Sequence, residues 1–473
     1  MNMNLSELMA ALPTEQGDAQ DEGAFANEQL RQIFADLALR PAPVHSLHRL
    51  WSTGELSVQI ALASLALWMR SWFATADMRK RRAIETNLRL ALKTFHRLGY
   101  LRGAMIKIGQ AAASLPNLLP AAIADTLDKL HFEAPPMHYT LIREMLTNEL
   151  GGDPDEVFSR FDKEAFAAAS LGQVHRAKLK TGEEVAVKVQ YPAIARTIDA
   201  DFRNLSALLF PARFSRDWES IEQSFAEIQR TLKQEVDYVE EAENLRRAAS
   251  LFTGEDEIVV PKVYGEYSTK RVLTMEYLPG MHLNEFLTTD PSQEARNAFG
   301  TKIHIAWWRM YYGDIHHADP HAGNYLFLND GRLGLLDFGC VQRYGAEERE
   351  LRAITDKLAN GWDAFPEFLR LGARASAKDL ANPEYVKTIR EGFVWMAETM
   401  AEGPFDFGDG RHLQAGIGWF SRLLRKRYTQ GHPTYLYFFR SVFGLKAVLY
   451  RLRAHVDVRA LMEQEQRAAT EAH

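Results

Sequence analysis

The run from Tyr325 to Asp337, YLFLNDGRLGLLD, sets two apolar stretches on either side of a turn-forming Asn-Asp-Gly, which predicts a β-hairpin. A hairpin returns the chain to where it started, so the polar residues before its first strand meet those after its second. Before it stand His316, His317, Asp319, His321 and Asn324; after it stand Asp337, Phe338 and Gly339. The fold must therefore accommodate two carboxylates and a carboxamide gathered at one place.

A chain of 473 residues exceeds what one hydrophobic core organises, so two or three lobes are expected. With 46% hydrophobic and 25% charged residues, the composition is that of a globular protein and excludes a fibrous or disordered one. The single cysteine, Cys340, cannot form an internal disulfide, and the start of the chain lacks a basic-then-apolar leader pattern. A cytoplasmic, reducing setting is expected. The most apolar segment, Val58 to Met69, is shorter than the roughly 18 to 20 residues that cross a bilayer, so a core or interfacial helix is expected there.

The patterning divides the chain. Residues 1–80 read as an N-terminal extension, and a helical pattern from Arg79 to Leu150 is broken by Pro116, Pro120 and Pro135-Pro136. From Glu183 to Pro192, apolar and polar residues alternate through Val185, Val187 and Val189, as in a half-buried strand. Two further strands are expected between Val263 and Gly280, with a turn near Ser268-Thr269. Between these regions Phe225, Ile228, Leu232, Val236 and Val239 form one stripe of a long helix. Beyond Gly280 the chain is almost wholly helical, the hairpin excepted. The expected fold class is α+β, and the expected domains are 1–80, a helical element over 81–155, a small β-rich lobe over 156–280 and a helical lobe over 281–473.

Asp319 and Asn324 are five residues apart, the spacing of a kinase catalytic loop, and Asp337-Phe338-Gly339 has the form of the magnesium-binding triplet. Phosphoryl transfer needs a carboxylate beside the attacking oxygen and oxygen ligands for Mg²⁺ on the nucleotide phosphates. Asp319 is the expected base, and Asn324 and Asp337 are the expected metal ligands. Lys188, on the Val-Ala-Val-Lys strand, would contact phosphates and needs an acidic partner. Helix periodicity leaves both Glu235 and Glu241 open as that partner. The loop ahead of this strand, with Ala167, Ala168, Ala169, Ser170 and Gly172, keeps one glycine where a phosphate cover usually has three, so it should be stiffer. Met275, Glu276 and Leu278 fall at the gatekeeper and hinge positions. A transition-metal site of His316, His317, Asp319 and His321 would leave the Asp-Phe-Gly triplet and the lysine strand unexplained. Trp307, Trp308, Tyr311 and Tyr312, at helical spacing, read as core packing, and Cys340 as a small buried residue.

At these residues the sequence resembles the UbiB, or aarF-domain, atypical kinases. The resemblance is carried by K-x-G-Q at Lys107 to Gln110, the alanine-rich run from Ala167 to Ala177, and V-A-V-K ending at Lys188. It continues in E-x-D-Y-x-x-E-A-x-N from Glu235 to Asn244, H-A-D-P-H-x-G-N from His317 to Asn324, and D-F-G from Asp337. It implies a bilobal protein-kinase-like fold, a small β-rich N-lobe and a helical C-lobe, with an N-terminal helical extension covering the cleft. It also implies ATP and Mg²⁺ as cofactors, ATPase activity, and an association with quinone or isoprenoid lipids. By the same match, Lys107 and Gln110 would be regulatory, meeting Glu235 and Asp237, which leaves Glu241 for Lys188.

From Ser421 to Ala460 nine Lys/Arg stand against one acid, Asp457, interleaved with aromatics. The readings are peripheral contact with an anionic membrane, nucleic-acid binding, or a solvated helical face. The resulting expectation is an ATP- and Mg-dependent atypical kinase or ATPase supporting quinone or isoprenoid lipid metabolism, or alternatively a nucleotide-gated, lipid-binding pseudokinase with little turnover. Its expected partners are nucleotide and a hydrophobic lipid or quinone precursor. Contact with the inner membrane face and a homodimer remain open, and no nucleic acid is expected.

Overall fold

A computed structural model of the chain describes residues 137–169, 171–191, 198, 229–230, 233–252, 257–426, 428 and 431–471. The extension over 1–80, the Val58–Met69 segment, Lys107, Gln110, Ser170, Phe225, Ile228 and Leu232 lie outside the described residues. The chain divides into two compact units. One comprises residues 1–142, 165–174 and 190–233, and the other residues 143–164, 175–189 and 234–473.

The architecture is α+β. After helix α1 (Tyr139–Leu150) come strands β1 (Arg160–Ala169), β2 (Gly172–Lys178) and β3 (Glu184–Gln190), then helix α2 (Tyr238–Ala249), β4 (Ile258–Val259), β5 (Val272–Glu276) and β6 (Gly280–Met281). The rest is mainly helical: α3 (Gln293–Tyr312), α4 (Ala346–Asn360), α5 (Pro383–Ala397), α6 (Gly410–Arg425), α7 (Pro433–Leu452) and α8 (Val458–Glu471). Short strands interrupt it: β7 (Ile315–His317), β8 (Tyr325–Leu328), β9 (Leu333–Leu335), β10 (Val341–Arg343), β11 (Phe405–Asp406) and β12 (His455–Val456). One four-stranded sheet runs β1-β2-β3-β5 and a second β4-β9-β8-β6.

Three sequence expectations are corrected. Strand β3 is covered on both faces, because Ala186, Lys188 and Gln190 are as buried as Val185, Val187 and Val189. The expected long helix does not run through to Val239: the backbone at Asp237 is extended, and its side chain accepts from the amides of Val239 and Glu240, capping a new helix. Tyr238, Glu241, Ala242 and Leu245 turn inward, whereas Val239 is exposed. Of the two strands expected after Val263, the first is a single bridge from Val263 to Met275 followed by a 3₁₀ turn at Gly265–Tyr267. There the Ser268 hydroxyl donates to the Tyr264 carbonyl and accepts from the Thr274 amide, giving the backbone an alternative to a ladder.

The hairpin forms as expected, with Tyr325 opposite Leu335 and Gly331 at φ +87° in the turn. Trp307, Trp308, Tyr311 and Tyr312 are buried core residues; Trp307 stacks on Tyr311, and Trp308 on Tyr312. The basic C-terminal stretch is neutralised in part by acids from elsewhere in the chain: Arg422 pairs with Glu391, Lys426 with Glu384 and Arg459 with Glu463. Among the described residues, no helix is long and apolar enough to cross a membrane.

One of those basic residues is sealed in the helical core. Lys446 on α7 is buried, its Nζ 2.9 Å from His412 Nε2 on α6 and 4.0 Å from the centre of the Trp395 ring on α5. His412 Nδ1 lies 2.9 Å from a Glu398 carboxylate oxygen, so the ring is neutral, donating to Glu398 and accepting from Lys446. Burial pulls the Lys446 amine down to about 7, and burial together with Lys446 pulls His412 down to about 4. An unfolded lysine holds its proton to about pH 10, so between about pH 7 and 10 the unfolded chain binds the extra proton and stability rises with pH, by at most ~1.4 kcal/mol per unit. Melting temperature should therefore climb from pH 7 to 9.5 in the wild type, and Lys446→Met should flatten that climb while raising the value at pH 7. An unchanged slope in the variant would contradict the account.

Candidate phosphoryl-transfer site

Lys188 projects from β3, which pairs antiparallel with β5 so that Lys188 lies opposite Leu273. Its Nζ donates to both carboxylate oxygens of Glu241, at 2.7 and 2.9 Å, and lies 3.4 Å from Asp337 Oδ2. Lys188 and Glu241 are both buried. Burial alone would depress the ammonium, but Asp337 and Glu241 hold it well above its ordinary value, so Lys188 stays charged. Burial drives the Glu241 carboxyl in the opposite direction, up to about 7 against the pull of Lys188. The two-pronged contact is that of an ammonium on a carboxylate, and it answers the choice that helix periodicity left open. Glu235, also buried, instead lies beside Gly339.

Helix α2 is tied down a second time, by a residue to which the sequence reading gave no role. Asn244 lies one turn beyond Glu241 and is buried. Its amide nitrogen donates to the Phe338 carbonyl at 3.1 Å, and its oxygen accepts from Arg343 Nη2 at 2.9 Å. One face of one helix thus holds both the lysine and the Asp-Phe-Gly loop. The signals available beforehand were its three-residue spacing from Glu241 and its place at the end of the E-x-D-Y-x-x-E-A-x-N run.

The loop from His317 to Asn324 is anchored by pairing of β7 with β10, which sets His317 opposite Val341. His317 bridges the two functional loops. Its Nε2 lies 2.6 Å from the Asp337 carbonyl oxygen, and its Nδ1 accepts from the Asp319 amide at 3.3 Å, which fixes the Nε2–H tautomer. His321 Nδ1 accepts from the Gly323 amide. His316 is buried, and burial and His317 push it down to about 3. Among the described residues no three His, Cys, Asp or Glu form a cluster that could hold a metal ion.

Asn324 and Asp337 stand at the open end of the hairpin, where the Leu336 amide donates to the Asn324 carbonyl. The Asn324 side-chain nitrogen donates to the Asp319 carbonyl at 2.7 Å, which leaves its oxygen as the atom suited to a cation. Asp337 Oδ1 accepts from the Gly339 amide at 2.9 Å. A carboxylate and an amide oxygen beside a charged lysine are hard donors, and they fit Mg²⁺ carried on a polyphosphate.

The residues expected at the gatekeeper and hinge positions, Met275, Glu276 and Leu278, lie on β5 and just beyond it. The Glu276 amide donates to the Lys262 carbonyl and the Tyr277 amide to the Glu184 carbonyl, while the Leu278 side chain packs with Leu326 and Leu328. Met275 is buried opposite Ala186. Asp237 is the cap of α2, and its carboxylate also lies 3.3 Å from Lys270 Nζ. Ala167, Ala169 and Gly172 belong to the other compact unit, at the β1–β2 connection, where the Tyr191 amide donates to the Leu171 carbonyl.

A further residue that sequence reasoning missed is Arg440. It reaches from α7 to put Nη2 3.0 Å from Asp319 Oδ1. In the sequence it was one basic residue among nine, with no local spacing to connect it to a loop more than a hundred residues earlier.

This arrangement of lysine strand, glutamate helix, catalytic loop and Asp-Phe-Gly defines a protein-kinase-like fold and site. Residues 129–360 match the model of the ABC1 atypical kinase-like domain, and through this domain the chain belongs to the UbiB, or aarF-domain, family. It is 31% identical over 350 residues to the chloroplastic protein ACTIVITY OF BC1 COMPLEX KINASE 8 of Arabidopsis thaliana, a match covering 70% of this chain and 46% of the plant protein. This chain thus spans about half the length of that relative. It is 29% identical over 439 residues to the mitochondrial atypical kinase COQ8B of Rattus norvegicus, covering 90% of this chain and 81% of the rat protein. Among solved structures, it resembles Rv3197 from Mycobacterium tuberculosis, determined in complex with erythromycin. The TM-score is 0.53 at 25% identity, covering 82% of this chain and 98% of that one.

Removing one partner of the buried pair leaves an uncompensated charge, at a cost of about 3–5 kcal/mol. Lys188→Met and Glu241→Leu should each lower the free energy of unfolding in urea by that order, and the double variant should lose much less than the sum. Strict additivity would show that the two groups do not stabilise each other.

Proposed function

We propose that this chain binds a nucleoside triphosphate with Mg²⁺ and transfers or hydrolyses its terminal phosphoryl group, in support of quinone or isoprenoid lipid metabolism. The observation that carries the reading is the buried Lys188, gripped through two oxygens by Glu241 with Asp337 3.4 Å away. Such a lysine is positioned and charged at every physiological pH, as a phosphate contact must be.

In this reading Asn324 and Asp337 hold the metal, which when bound offsets phosphate charge. The remaining work falls to the chain's own groups. Asp319 accepts the proton of the attacking oxygen, and its backbone is held from both sides, by His317 at its amide and by Asn324 at its carbonyl. A base fixed in this way loses little entropy in the transition state. Met275, Glu276 and Leu278 would border the adenine, the Ala167–Gly172 loop would cover the phosphates, and Lys107 and Gln110 with Glu235 and Asp237 would regulate access. The lipid assignment draws support from the name of the rat relative, an atypical kinase COQ8B of the mitochondrion. The setting in this reading is cytoplasmic, with the basic C-terminal region against the inner face of the membrane.

The pairing of Asp319 with Arg440 favours a second reading, in which a restrained base leaves nucleotide bound but hardly turned over, and binding gates a hydrophobic ligand. Purified protein with Mg-ATP, with and without anionic liposomes, separates the two. The phosphoryl-transfer reading expects hydrolysis that falls at least ~100-fold in Asp319→Asn while Mg-ATP affinity is kept. Saturable binding with equal, near-zero turnover in wild type and variant would favour the gate.

A further inference from the structure

The loop from His317 to Asn324 contains neither lysine nor arginine. Among the described residues around it, the carboxylates of Asp319, Asp337 and Glu241 are set against the amine of Lys188, whose charge Glu241 already answers at 2.7 Å. A triphosphate would bring more negative charge still, and transfer of its terminal group concentrates charge on the departing phosphoryl oxygens. The catalytic loop provides no cation for that point; His321, two residues after Asp319, spends its Nδ1 on the Gly323 amide.

Helix α7 supplies one. Its Tyr437 packs with Ala318, which precedes Asp319, and with Cys340, which follows the Asp-Phe-Gly triplet. One turn after Arg440 stands Gly444, where a Cβ would come within 2.9 Å of Pro320 Cγ and 3.2 Å of its carbonyl oxygen. Residues 437, 440 and 444 share one helical face, so that face lies directly along the catalytic loop. The close approach at Gly444 sets the height from which the Arg440 side chain reaches Asp319, 3.0 Å away. The Arg440 side chain as a whole is about two-fifths exposed, so the ion pair by itself contributes little to stability. Asp319 first, then Cys340 and Glu235, raise its basicity against the cost of burial, which marks the surroundings as acidic.

We propose that Arg440 is the cation of the transfer centre, a catalytic residue supplied in cis by the C-terminal helix, which aims Asp319 and donates to an oxygen of the terminal phosphate. The inference rests on the phosphoryl-transfer reading above. A guanidinium has five donors in a planar fork, so it can hold a carboxylate and a phosphate oxygen together, which an ammonium does less well. In the step it serves, a lone pair of the acceptor oxygen forms the new O–P bond. The bond from the terminal phosphorus to the bridging oxygen breaks, with its electron pair leaving on the nucleoside diphosphate, and the acceptor's proton passes to Asp319. Arg440 stays protonated throughout and lowers the barrier by charge alone.

The test uses the full chain and two readouts, ATP turnover and the melting-temperature shift given by Mg-ADP with and without aluminium fluoride, a mimic of the phosphoryl group in flight. Arg440→Gln should lower kcat at least ~100-fold, a modest share of what a cis arginine contributes elsewhere, with Mg-ATP affinity within about threefold of wild type. It should also lose the extra stabilisation given by the fluoride complex over Mg-ADP, and Arg440→Lys should fall between. Turnover and fluoride shift retained in Arg440→Gln would overturn the assignment, as would faster turnover, which would make Arg440 a brake on the base. Loss of Mg-ATP affinity in step with kcat would also overturn it, reducing Arg440 to a structural contact. If the wild type itself neither bound nor hydrolysed Mg-ATP, the phosphoryl-transfer reading would fall and this inference with it, whereas wild-type turnover with normal Arg440 variants would sink this inference alone.

Discussion

The buried contact between Lys188 and Glu241 is the constraint on which the rest of the site depends. Two opposite charges removed from water are tolerated only if they face each other squarely, and the bidentate geometry at 2.7 and 2.9 Å meets that demand. Satisfying it fixes strand β3 against helix α2. Because Asn244 lies on the same helical face, the Asp-Phe-Gly loop is fixed through the Phe338 carbonyl as well. His317 carries the order onward, joining the Asp337 carbonyl to the Asp319 amide. A short chain of polar contacts thus runs from Lys188 to Asp319, and each link uses a group that would be costly to bury alone.

Where the sequence could be read, it was because the signal was local. The Asn-Asp-Gly turn between apolar runs specified the hairpin, and the hairpin dictates that Asn324 and Asp337 come together. Lys188 was legible because a strand pattern surrounds it. The failures have equally physical causes. Strand β3 looked half-exposed because polar residues alternate along it, but Lys188 is buried in an ion pair with the buried Glu241, and periodicity does not distinguish a paired charge from a solvated one. The apolar stripe through Val239 suggested one helix, yet Asp237 offers its side chain to two amides and restarts the helix in a new phase. The fold class and the kinase-like family were legible, because several motifs occur in the order that one fold requires.

The C-terminal region shows what sequence could not convey. Nine basic residues against a single acid suggested one charged surface. In the structure they serve different ends: Arg422, Lys426 and Arg459 meet acids on other turns or helices, Lys446 is enclosed beside His412 and Trp395, and Arg440 reaches the catalytic loop. Nothing in the spacing of a basic stretch separates these fates, because each depends on what packs against that helix from elsewhere in the chain. The helix that reads as a surface from its composition places one of its arginines 3.0 Å from Asp319.

The central claim is that Lys188, Asn324 and Asp337 together form a receptor for a magnesium-bound nucleoside triphosphate. Titration calorimetry of ATP into the purified chain, with Mg²⁺ and with a chelator in its place, measures it most directly. The account predicts a saturable heat of about one nucleotide per chain that requires Mg²⁺ and disappears in Asp337→Asn. Binding that is indifferent to the metal and to Asp337, or the absence of any heat with Mg²⁺ present, would contradict it.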